Sequence, residues 1–323
     1  MRSFRWWLIF IAVMCVVPLF VPSGIIRFLI YANFVAIWAM SWDILSGYTG
    51  YVSFGHPFII GTAGYATAIL THQFGFPLYG SMALGVLIGV GAGMAFFLPA
   101  LRVRGPYFAL VTLALMDLAH RLVIAVRPDV TGGTRGIVGL PVVVQGAFPG
   151  FYMSLGAMLA IAIGLWYVAR SDIGTLLRAI HMDEDVVATE GFSTLKYKMV
   201  AFLLSAVVAS IGGVLYTHYL GSISPRGVFG TDVLFMILVA ALVGGQNSII
   251  GPIAGAYFVI FLLEMARPFL PGESRFIFYA VTALAVYVFR PTGFYGIATD
   301  IGSWFRKRRR RKQYGQVTGS AGP

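Results

Sequence analysis

Hydrophobic residues along this chain form long continuous runs, each close to the roughly 20 apolar residues that a membrane-spanning helix requires. Because the runs do not alternate with polar residues, they exclude a membrane-spanning barrel of strands. The pattern predicts an all-α fold, a polytopic transmembrane bundle of about 8–10 helices. Ten runs are candidate spans: 6–22, 27–46, 54–71, 78–100, 106–126, 151–169, 197–220, 232–246, 250–267 and 275–290.

Composition agrees with a membrane protein. Hydrophobic residues make up 59% of the 323 positions and charged residues only 11%. Soluble domains usually carry about 25% charged residues, so most of the surface of this protein must face lipid. We therefore expect one transmembrane domain over residues 1–305.

Arg2 and Arg5 precede the first run as in a signal peptide, but no small-residue cleavage site follows, which predicts that the run is retained. Glycines recur every four residues in the fourth run and predict close helix packing at Gly85, Gly89 and Gly93.

The basic residues predict the orientation of the bundle. With the N-terminus in the cytoplasm and alternating spans, 16 of the 23 basic residues fall on the cytoplasmic side, as the positive-inside rule requires. Both termini are therefore predicted to be cytoplasmic. Seven of these residues form the cluster 306–312, so we interpret the tail 306–323 as a disordered anchor on membrane lipid rather than as a nucleic-acid site. Regulation through anionic lipid is the second interpretation of the tail.

Residues 47–58, "GYTGYVSFGHPF", interrupt two apolar runs with glycines and a proline. Pro57 suits the first turn of a new helix, and Ser53 stands near that start as a candidate cap, with Gly55 and His56 between them. One interpretation is a tight cytoplasmic turn between two spans. The other is a broken helix that borders a translocation path, because irregular backbone at membrane depth is tolerated where it lines a cavity.

Acidic residues inside the spans are the second departure from the apolar pattern. Asp43 ends one span, Glu264 lies late in another, and Asp117 lies in the fifth with His120 and Arg121. A charge at the bilayer centre costs at least about 3 kcal/mol, so such groups normally find partners inside the bundle. Asp117 is spaced to form a local ion pair with Arg121; the alternative is that it borders a solute path.

The polar loop 127–141 is predicted to lie outside. Thr131, Gly132 and Gly133 offer backbone N–H groups that could bind an anion or a carboxylate. The alternative is an ordered external cover, which the turn residues of the loop also favour.

The longest polar break, 170–198, contains nine charged residues. Within it "DEDVVATEG" predicts a short helix that begins with acids, which the helix dipole favours there, and ends at Gly191 as a left-handed cap. We expect an exposed ridge formed by Val186, Val187 and Glu190. Such a helix suits the docking of a soluble partner from the cytoplasm, although capped loops without that role are also common.

Several classes of site have no pattern in this sequence. The chain has no G-x-x-x-x-G-K-[ST] loop for nucleotide phosphates, no cluster of metal ligands and no G-x-S-x-G nucleophile. We therefore expect a protein that is not an enzyme and that holds neither a metal nor a cofactor.

Seven blocks occur in order: "GYTGYVSFGHPFIIGTAGY", "RVRGPYFALVTLAL", "TGGTRGI", "RAIHMDEDVVATEGF", "YKMVAFLLSAVVASIGGVLY", "LVGGQNSIIGPIAGA" and "FRPTGFYG". Together they resemble the LivM-type permease subunits of branched-chain amino acid ABC transporters. The resemblance implies a subunit of the bacterial inner membrane that imports a branched-chain amino acid or a similar small polar solute. It also implies the partners: a second, LivH-like permease, two cytoplasmic LivG/LivF-like subunits that bind ATP, and a periplasmic solute-binding protein.

The resemblance also implies roles for individual residues. The coupling segment of such permeases aligns with 178–191, which implies contact with the ATPases for Arg178, Asp183, Glu184, Asp185, Ala188, Glu190 and Gly191. The translocation path would be bordered by Ser53, Gly55, His56, Asp117, Thr131, Gly132 and Gly133. Phe54 and Pro57 depart from the usual "SLGHAAF" of the family, so urea, short amides and aromatic acids stay open as solutes.

Two other functional classes are compatible with parts of the pattern. A secondary transporter driven by an ion gradient could use Asp117 and His120 as coupling groups. An intramembrane enzyme would need a convergent catalytic set, and these two residues without a nucleophile provide little of one.

Overall fold

The computed structural model describes residues 13–103 and 105–266, with the isolated positions 268, 281, 282 and 293. The start of the 6–22 run, the candidate span 275–290 and the basic tail 306–323 lie outside the described residues. The helices are α1 Ser23–Trp42, α2 His56–His72, α3 Leu78–Phe97, α4 Pro106–Ala125, α5 Pro128–Thr131, α6 Ala147–Arg170, α7 Asp172–Met182, α8 Glu184–Thr189, α9 Thr194–Leu220, α10 Pro225–Phe229, α11 Thr231–Gly244 and α12 Ile250–Ala266. Short 3₁₀ turns occupy Val17–Leu19 and Ala100–Arg102, and α1 continues into a π turn, Asp43–Gly47.

Six helical segments in the described part of the chain are long and apolar enough to cross a membrane: Ser23–Gly47, Leu78–Phe97, Pro106–Ala125, Ala147–Arg170, Thr194–Leu220 and Pro225–Gly244. The last of these joins α10 and α11, and α12 is a shorter apolar helix. The prediction of an all-α membrane bundle is confirmed; the described part contains six candidate spans, where the apolar runs predicted about 8–10 over the whole chain. The predicted span starts at 78, 106, 232 and 250 lie within one residue of the observed helix starts.

Side-chain contacts between helix ends define two ends of the bundle. At the first, which we call the Glu184 end, α8 contacts the segment that follows α1 and the first turns of α9. At the opposite end, the last turn of α9 contacts the loop before α6 through His218 and the Pro141 carbonyl. A two-stranded antiparallel pair, β1 Ile137–Val138 and β2 Ser222–Ile223, closes that end.

Helix α1 forms the centre of the bundle. From Ala32 to Trp42 every one of its residues is buried, and it packs against α6, α9, α11 and α12. The glycine stripe of α3 faces α2: a Cβ added to Gly85 would lie 2.8 Å from the Thr67 Cβ, and one added to Gly89 would lie 2.6 Å from the Ala63 Cβ. The predicted packing role of this stripe is therefore confirmed, because only glycine permits these two helices to approach so closely.

Candidate functional site

The segment between α1 and α2 is buried at Tyr48, Thr49, Ser53 and Gly55, and protein groups bind part of its backbone. Trp42 Nε1 donates to the Ser53 carbonyl at 2.8 Å, and the Ser53 N–H donates to Ser46 Oγ at 3.1 Å. The Phe54 N–H donates to Thr112 Oγ1 of α4 at 3.0 Å. The segment is therefore an irregular backbone held inside the bundle, which is the condition under which such backbone persists at membrane depth.

The start of α2 agrees with one prediction and corrects another. Pro57 lies in the first turn, as predicted. Ser53, however, does not cap the helix: Gly55 holds the cap position, no side chain accepts there, and Ser53 Oγ accepts from the Gly55 N–H at 3.3 Å. A Cβ on Gly55 would collide with the Phe97 ring, so the close contact between this loop and α3 requires glycine.

His56 is fully buried and connects three helices. Its Nε2 lies 2.8 Å from Ser205 Oγ of α9, within hydrogen-bond distance. Ser41 of α1 donates from Oγ to the Ser205 carbonyl at 3.0 Å. The imidazole of His56 also interacts with the backbone of Ser41 in α1.

The segment 183–191 folds as the sequence predicts. Asp183 Oδ1 accepts from the N–H groups of Asp185 and Val186, both at 3.0 Å, and thereby caps α8. Gly191 has φ +87, the left-handed conformation expected after a helix. The expectation that Val187 is exposed is wrong: it is 7% exposed. A helix of six residues presents one side to the bundle, and Val187 shares that side with Glu184.

Glu184 is the centre of a hydrogen-bonded network at this end of the molecule. Lys198 Nζ of α9 donates to its Oε1 at 2.7 Å, and the Tyr51 hydroxyl donates to its Oε2 at 2.6 Å. Thr194 Oγ1 also donates to Oε1 at 2.9 Å, and Lys198 Nζ reaches the Tyr51 hydroxyl at 2.9 Å. The side chains of Lys198 and Glu184 are only 5% and 16% exposed, so the ion pair is largely shielded from water.

The surroundings of Glu184 act on its pKa in opposite directions. Burial alone would raise the pKa of the carboxyl, because it disfavours the charged form. Hydrogen bonds from Lys198, Tyr51 and Thr194 and the charge of Lys198 outweigh that effect, and the pKa of Glu184 is lowered below its ordinary 4.5. Glu184 is therefore ionised at neutral pH and holds its partners as a carboxylate.

Two further contacts join the same elements. Arg178 of α7 donates to the Ala169 carbonyl, and its guanidinium lies 5.4 Å from the centre of the Tyr48 ring. Gly50 has φ +77 and leaves room for His181, whose ring would lie 3.5 Å from an added Cβ. The 47–58 segment and the 170–198 break, which are far apart in the sequence, are therefore in contact in the structure.

Sequence reasoning missed Tyr51 and Lys198 as members of this network. Tyr51 lies in the 47–58 segment and Lys198 in the 170–198 break, but no spacing connects them to Glu184, since Tyr51 and Glu184 are 133 positions apart. The one available signal was a lysine in the first turns of an otherwise apolar span, which needs an anionic partner if it is buried.

Asp117 lies on an exposed face of α4. Its Oδ2 accepts from Arg121 Nε at 2.7 Å, so the predicted local ion pair is confirmed. The two side chains are 51% and 76% exposed for Asp117 and Arg121 respectively. Within the described part of the chain, no hydrogen bond or ion pair connects Asp117 to Ser53 or His56, and His120 beside it is half-buried.

The loop of Thr131 to Gly133 is closed on itself at the opposite end. The Gly132 N–H donates to the Pro128 carbonyl at 3.0 Å, and the Gly133 N–H lies 3.4 Å from Thr131 Oγ1. Thr131 Oγ1 in turn donates to the Val123 carbonyl at 2.7 Å. Because these N–H groups already have acceptors, the geometry favours an ordered cover over an anion site.

Asp43 is a buried acid for which the sequence predicted only a position at the end of a span. It is 1% exposed. Its Oδ1 accepts from the Asn247 N–H at 2.8 Å and its Oδ2 from the Ser248 N–H at 3.1 Å, so it holds the turn between α11 and α12. No group of three or more metal-ligating side chains occurs among the residues that the structure describes.

Residues 24–287 match the family model described as "Branched-chain amino acid transport system / permease component". The chain belongs to this family. The permease is 23% identical over 305 residues to the high-affinity branched-chain amino acid transport system permease protein LivM of Salmonella typhimurium, covering 85% of this chain and 71% of the relative. It is 27% identical over 140 residues to the LivH permease protein of Escherichia coli, covering 43% and 44% of the two chains.

Among solved structures, the permease is similar to a protein assigned to the metal-chelate type of ABC transporter in an inward-facing conformation. That similarity has a TM-score of 0.46 at 19% identity and covers 81% of each chain. Family membership makes this chain a non-catalytic, multi-pass component of an ABC transporter. The resemblance inferred from the seven blocks is thereby confirmed.

Proposed function

We propose that this permease carries a branched-chain amino acid, or a similar small polar solute, across the inner membrane of a bacterium. It works in an importer with a second, LivH-like permease, two LivG/LivF-like ATP-binding subunits and a periplasmic solute-binding protein. The chain needs no cofactor of its own, because ATP is bound by the partner subunits. Both termini lie in the cytoplasm, so the Glu184 end faces the ATPases.

The observation that carries the proposal is the attachment of α8 to two structural elements. Its inner face, formed by Glu184 and Val187, is tied to Tyr51 and Lys198, and so to the loop before α2 and to the base of α9. Its outer face is exposed and is available to an ATPase, with Asp185, Val186, Ala188 and Glu190. A displacement of α8 therefore pulls directly on a spanning helix and on the buried loop.

Roles within the coupling segment follow from this division. Asp183 and Gly191 set the two ends of α8, and Arg178 connects α7 to Tyr48. Ser53, Gly55 and His56 border the inner part of the path, where the irregular backbone lies. The loop of Thr131, Gly132 and Gly133 covers the outer side of the path. Asp117 lies on the exposed face of α4 and is paired with Arg121, so its position does not support a transporter driven by an ion gradient.

Reconstitution in liposomes tests the proposal. The complete complex is expected to accumulate labelled leucine when ATP is enclosed, and urea and benzoate serve as competing solutes. Uptake by the permeases without ATPases, abolished by collapse of an ion gradient, would contradict the proposal. So would an absence of ATP-driven uptake for every solute tested.

A pair of arginine substitutions tests the coupling face. Ala188→Arg places a bulky cation on the exposed side of α8 and is expected to abolish co-purification of the ATPases, while the Glu184 network remains. Val138→Arg, at an exposed position of the opposite end, is the matched control and is expected to retain them. Equal ATPase binding by both variants would rule out α8 as the docking element.

A further inference from the structure

A cavity opens at the end of the bundle opposite Glu184. It has a volume of about 390 Å³ and lies between the first turns of α1 and α11 and the last turns of α9 and α12. This volume is within the range of about 300–1,000 Å³ that small-molecule sites occupy. The cavity is separate from the Ser53 and His56 region. In the orientation proposed above, it faces the side from which solute arrives in an importer.

The cavity wall contains charges of both signs. Arg27 of α1 contributes a guanidinium, and Asp232 of α11 and Glu264 of α12 contribute carboxylates. Arg27 and Asp232 form no salt bridge with each other, nor with any other residue that the structure describes. Arg27 lies close enough to Tyr219 to interact with it electrostatically. The wall thus offers a cationic and an anionic position to one ligand.

An aromatic surface fixes the shape of the cavity. Tyr31 and Tyr216 line it with ring centres 5.9 Å apart, and Tyr216 packs edge-on against Phe34 at 5.3 Å and Trp38 at 5.1 Å. Tyr219 packs against Phe34 at 5.8 Å. Because Phe34 and Trp38 are fully buried, the tyrosines stand on a rigid base, and little conformational entropy is lost when a ligand binds.

The rest of the lining is apolar: Phe28, Leu220, Val233, Met236, Ile260 and Leu263. We infer that this cavity is a site for a zwitterionic amino acid with an apolar side chain, an inference that rests on the proposed function and specifies its solute. Arg27 receives the carboxylate, Asp232 receives the ammonium, and the apolar lining contacts the side chain. A neutral solute such as urea would leave both charged positions unpaired, so the site discriminates against it.

Photolabelling of the reconstituted complex tests the site. The probe is the diazirine analogue of L-leucine, added with and without excess L-leucine, and labelled peptides are mapped by mass spectrometry. Label is expected on α1, α11 or α12 near Phe28, Met236 and Leu263, and excess leucine is expected to remove it. Label confined to other segments would overturn the inference.

Matched variants separate charge recognition from general damage. Arg27→Gln and Asp232→Asn are each expected to lower labelling about tenfold, as loss of one charged contact predicts. Arg226→Gln and Asp129→Asn remove exposed charges outside the cavity and are expected to label as the wild type does. ATP hydrolysis by each complex without solute verifies that the variants assemble. Unchanged labelling in both cavity variants would overturn the inference.

Two controls distinguish the possible failures. Phosphatidylethanolamine also carries a phosphate and an ammonium, so labelling is compared in vesicles with and without it; protection by this lipid and not by leucine would overturn the inference. ATP-driven leucine uptake by the wild type tests the proposed function separately. If uptake occurs while Arg27→Gln and Asp232→Asn transport at the wild-type rate, the cavity assignment fails and the proposed function stands.

Discussion

Asp43 and Asp117 are both acids in long apolar helices, yet the structure gives them opposite environments. Asp43 is enclosed at the end of α1 and accepts from two backbone N–H groups of a distant turn. Asp117 lies exposed on α4 and is paired within its own helix to Arg121. The cost of inserting a charge into the bilayer, about 3 kcal/mol, is the same for both acids. It therefore identifies an acid in a span as unusual, but does not show whether that acid binds solute, stabilises the fold or lies on an exposed face.

The largest effect in this comparison is expected from Asp43→Ala. The N–H groups of Asn247 and Ser248 would lose their acceptor, and each unsatisfied buried donor costs about 1–3 kcal/mol, so the free energy of unfolding should fall by roughly 2–6 kcal/mol. Thermal unfolding in detergent measures the change. Asp43→Asn keeps one carbonyl acceptor and should lose less; equal unfolding midpoints for Asp43→Ala and the wild type would contradict the support role.

Lys198→Met tests an acid with intermediate burial, Glu184. Removing the cation leaves a half-buried carboxylate without its ion pair, and the local stability of α8 should fall by about 2–3 kcal/mol. Hydrogen exchange of residues 184–191 measures that loss. We expect uncoupled ATP hydrolysis in the complex; Lys196→Met, which removes a cation outside the network, is the control and should remain coupled.

Gly47→Ala should displace the Asp43 carboxylate from within its own helical segment. A Cβ on Gly47 would collide with Asp43 Oδ1, and the forced displacement should cost about 1–3 kcal/mol of unfolding free energy. Gly164→Ala adds the same methyl group to α6, where nothing lies within 4 Å, and should unfold at the wild-type temperature or slightly above it. A Gly47→Ala protein as stable as Gly164→Ala would show that the carboxylate relocates freely.

Acidification should release Glu184 only below the ordinary pKa of a glutamate, because the folded protein lowers the pKa of this carboxyl. Its pKa is lower in the folded protein, so the pair contributes stability above the ordinary 4.5 and loses it as pH falls through the lowered pKa. A spin label at Ala188→Cys, in a Cys15→Ser background, should become more mobile over that acidic range. With Glu184→Gln the label mobility should not change with pH; a transition that persists in that variant would assign the titration to another group.

The smallest effect is expected at Asp117. The joint change Asp117→Asn and Arg121→Gln removes an exposed local pair, so the unfolding temperature and ATP-driven uptake should stay near wild-type values. Uptake is measured with labelled leucine at several imposed proton gradients. A gradient dependence that disappears with the joint variant would make Asp117 a coupling group and favour the ion-gradient alternative.

Hydrophobic pattern and cap chemistry were enough to locate most elements. The starts of α3, α4, α11 and α12 follow from where apolar runs begin, because lipid demands continuous helices of sufficient length. The N-cap at Asp183 and the left-handed Gly191 follow from local backbone requirements. The Asp117–Arg121 pair follows from helix periodicity alone, since both partners lie on one helix.

The sequence by itself therefore determined the class of the protein, the starts of α3, α4, α11 and α12, the capped helix α8 and the family blocks, all of which depend on neighbours close along the chain. Only the tertiary structure decided that Glu184 meets Tyr51 and Lys198, that Val187 is buried and Asp43 is enclosed, and that Arg27 and Asp232 share a cavity. The contacts of Glu184 and Asp43 join residues far apart in sequence, and the position of Arg27 and Asp232 depends on which face of an apolar helix turns inward. Periodicity cannot supply that choice when nearly every face is hydrophobic.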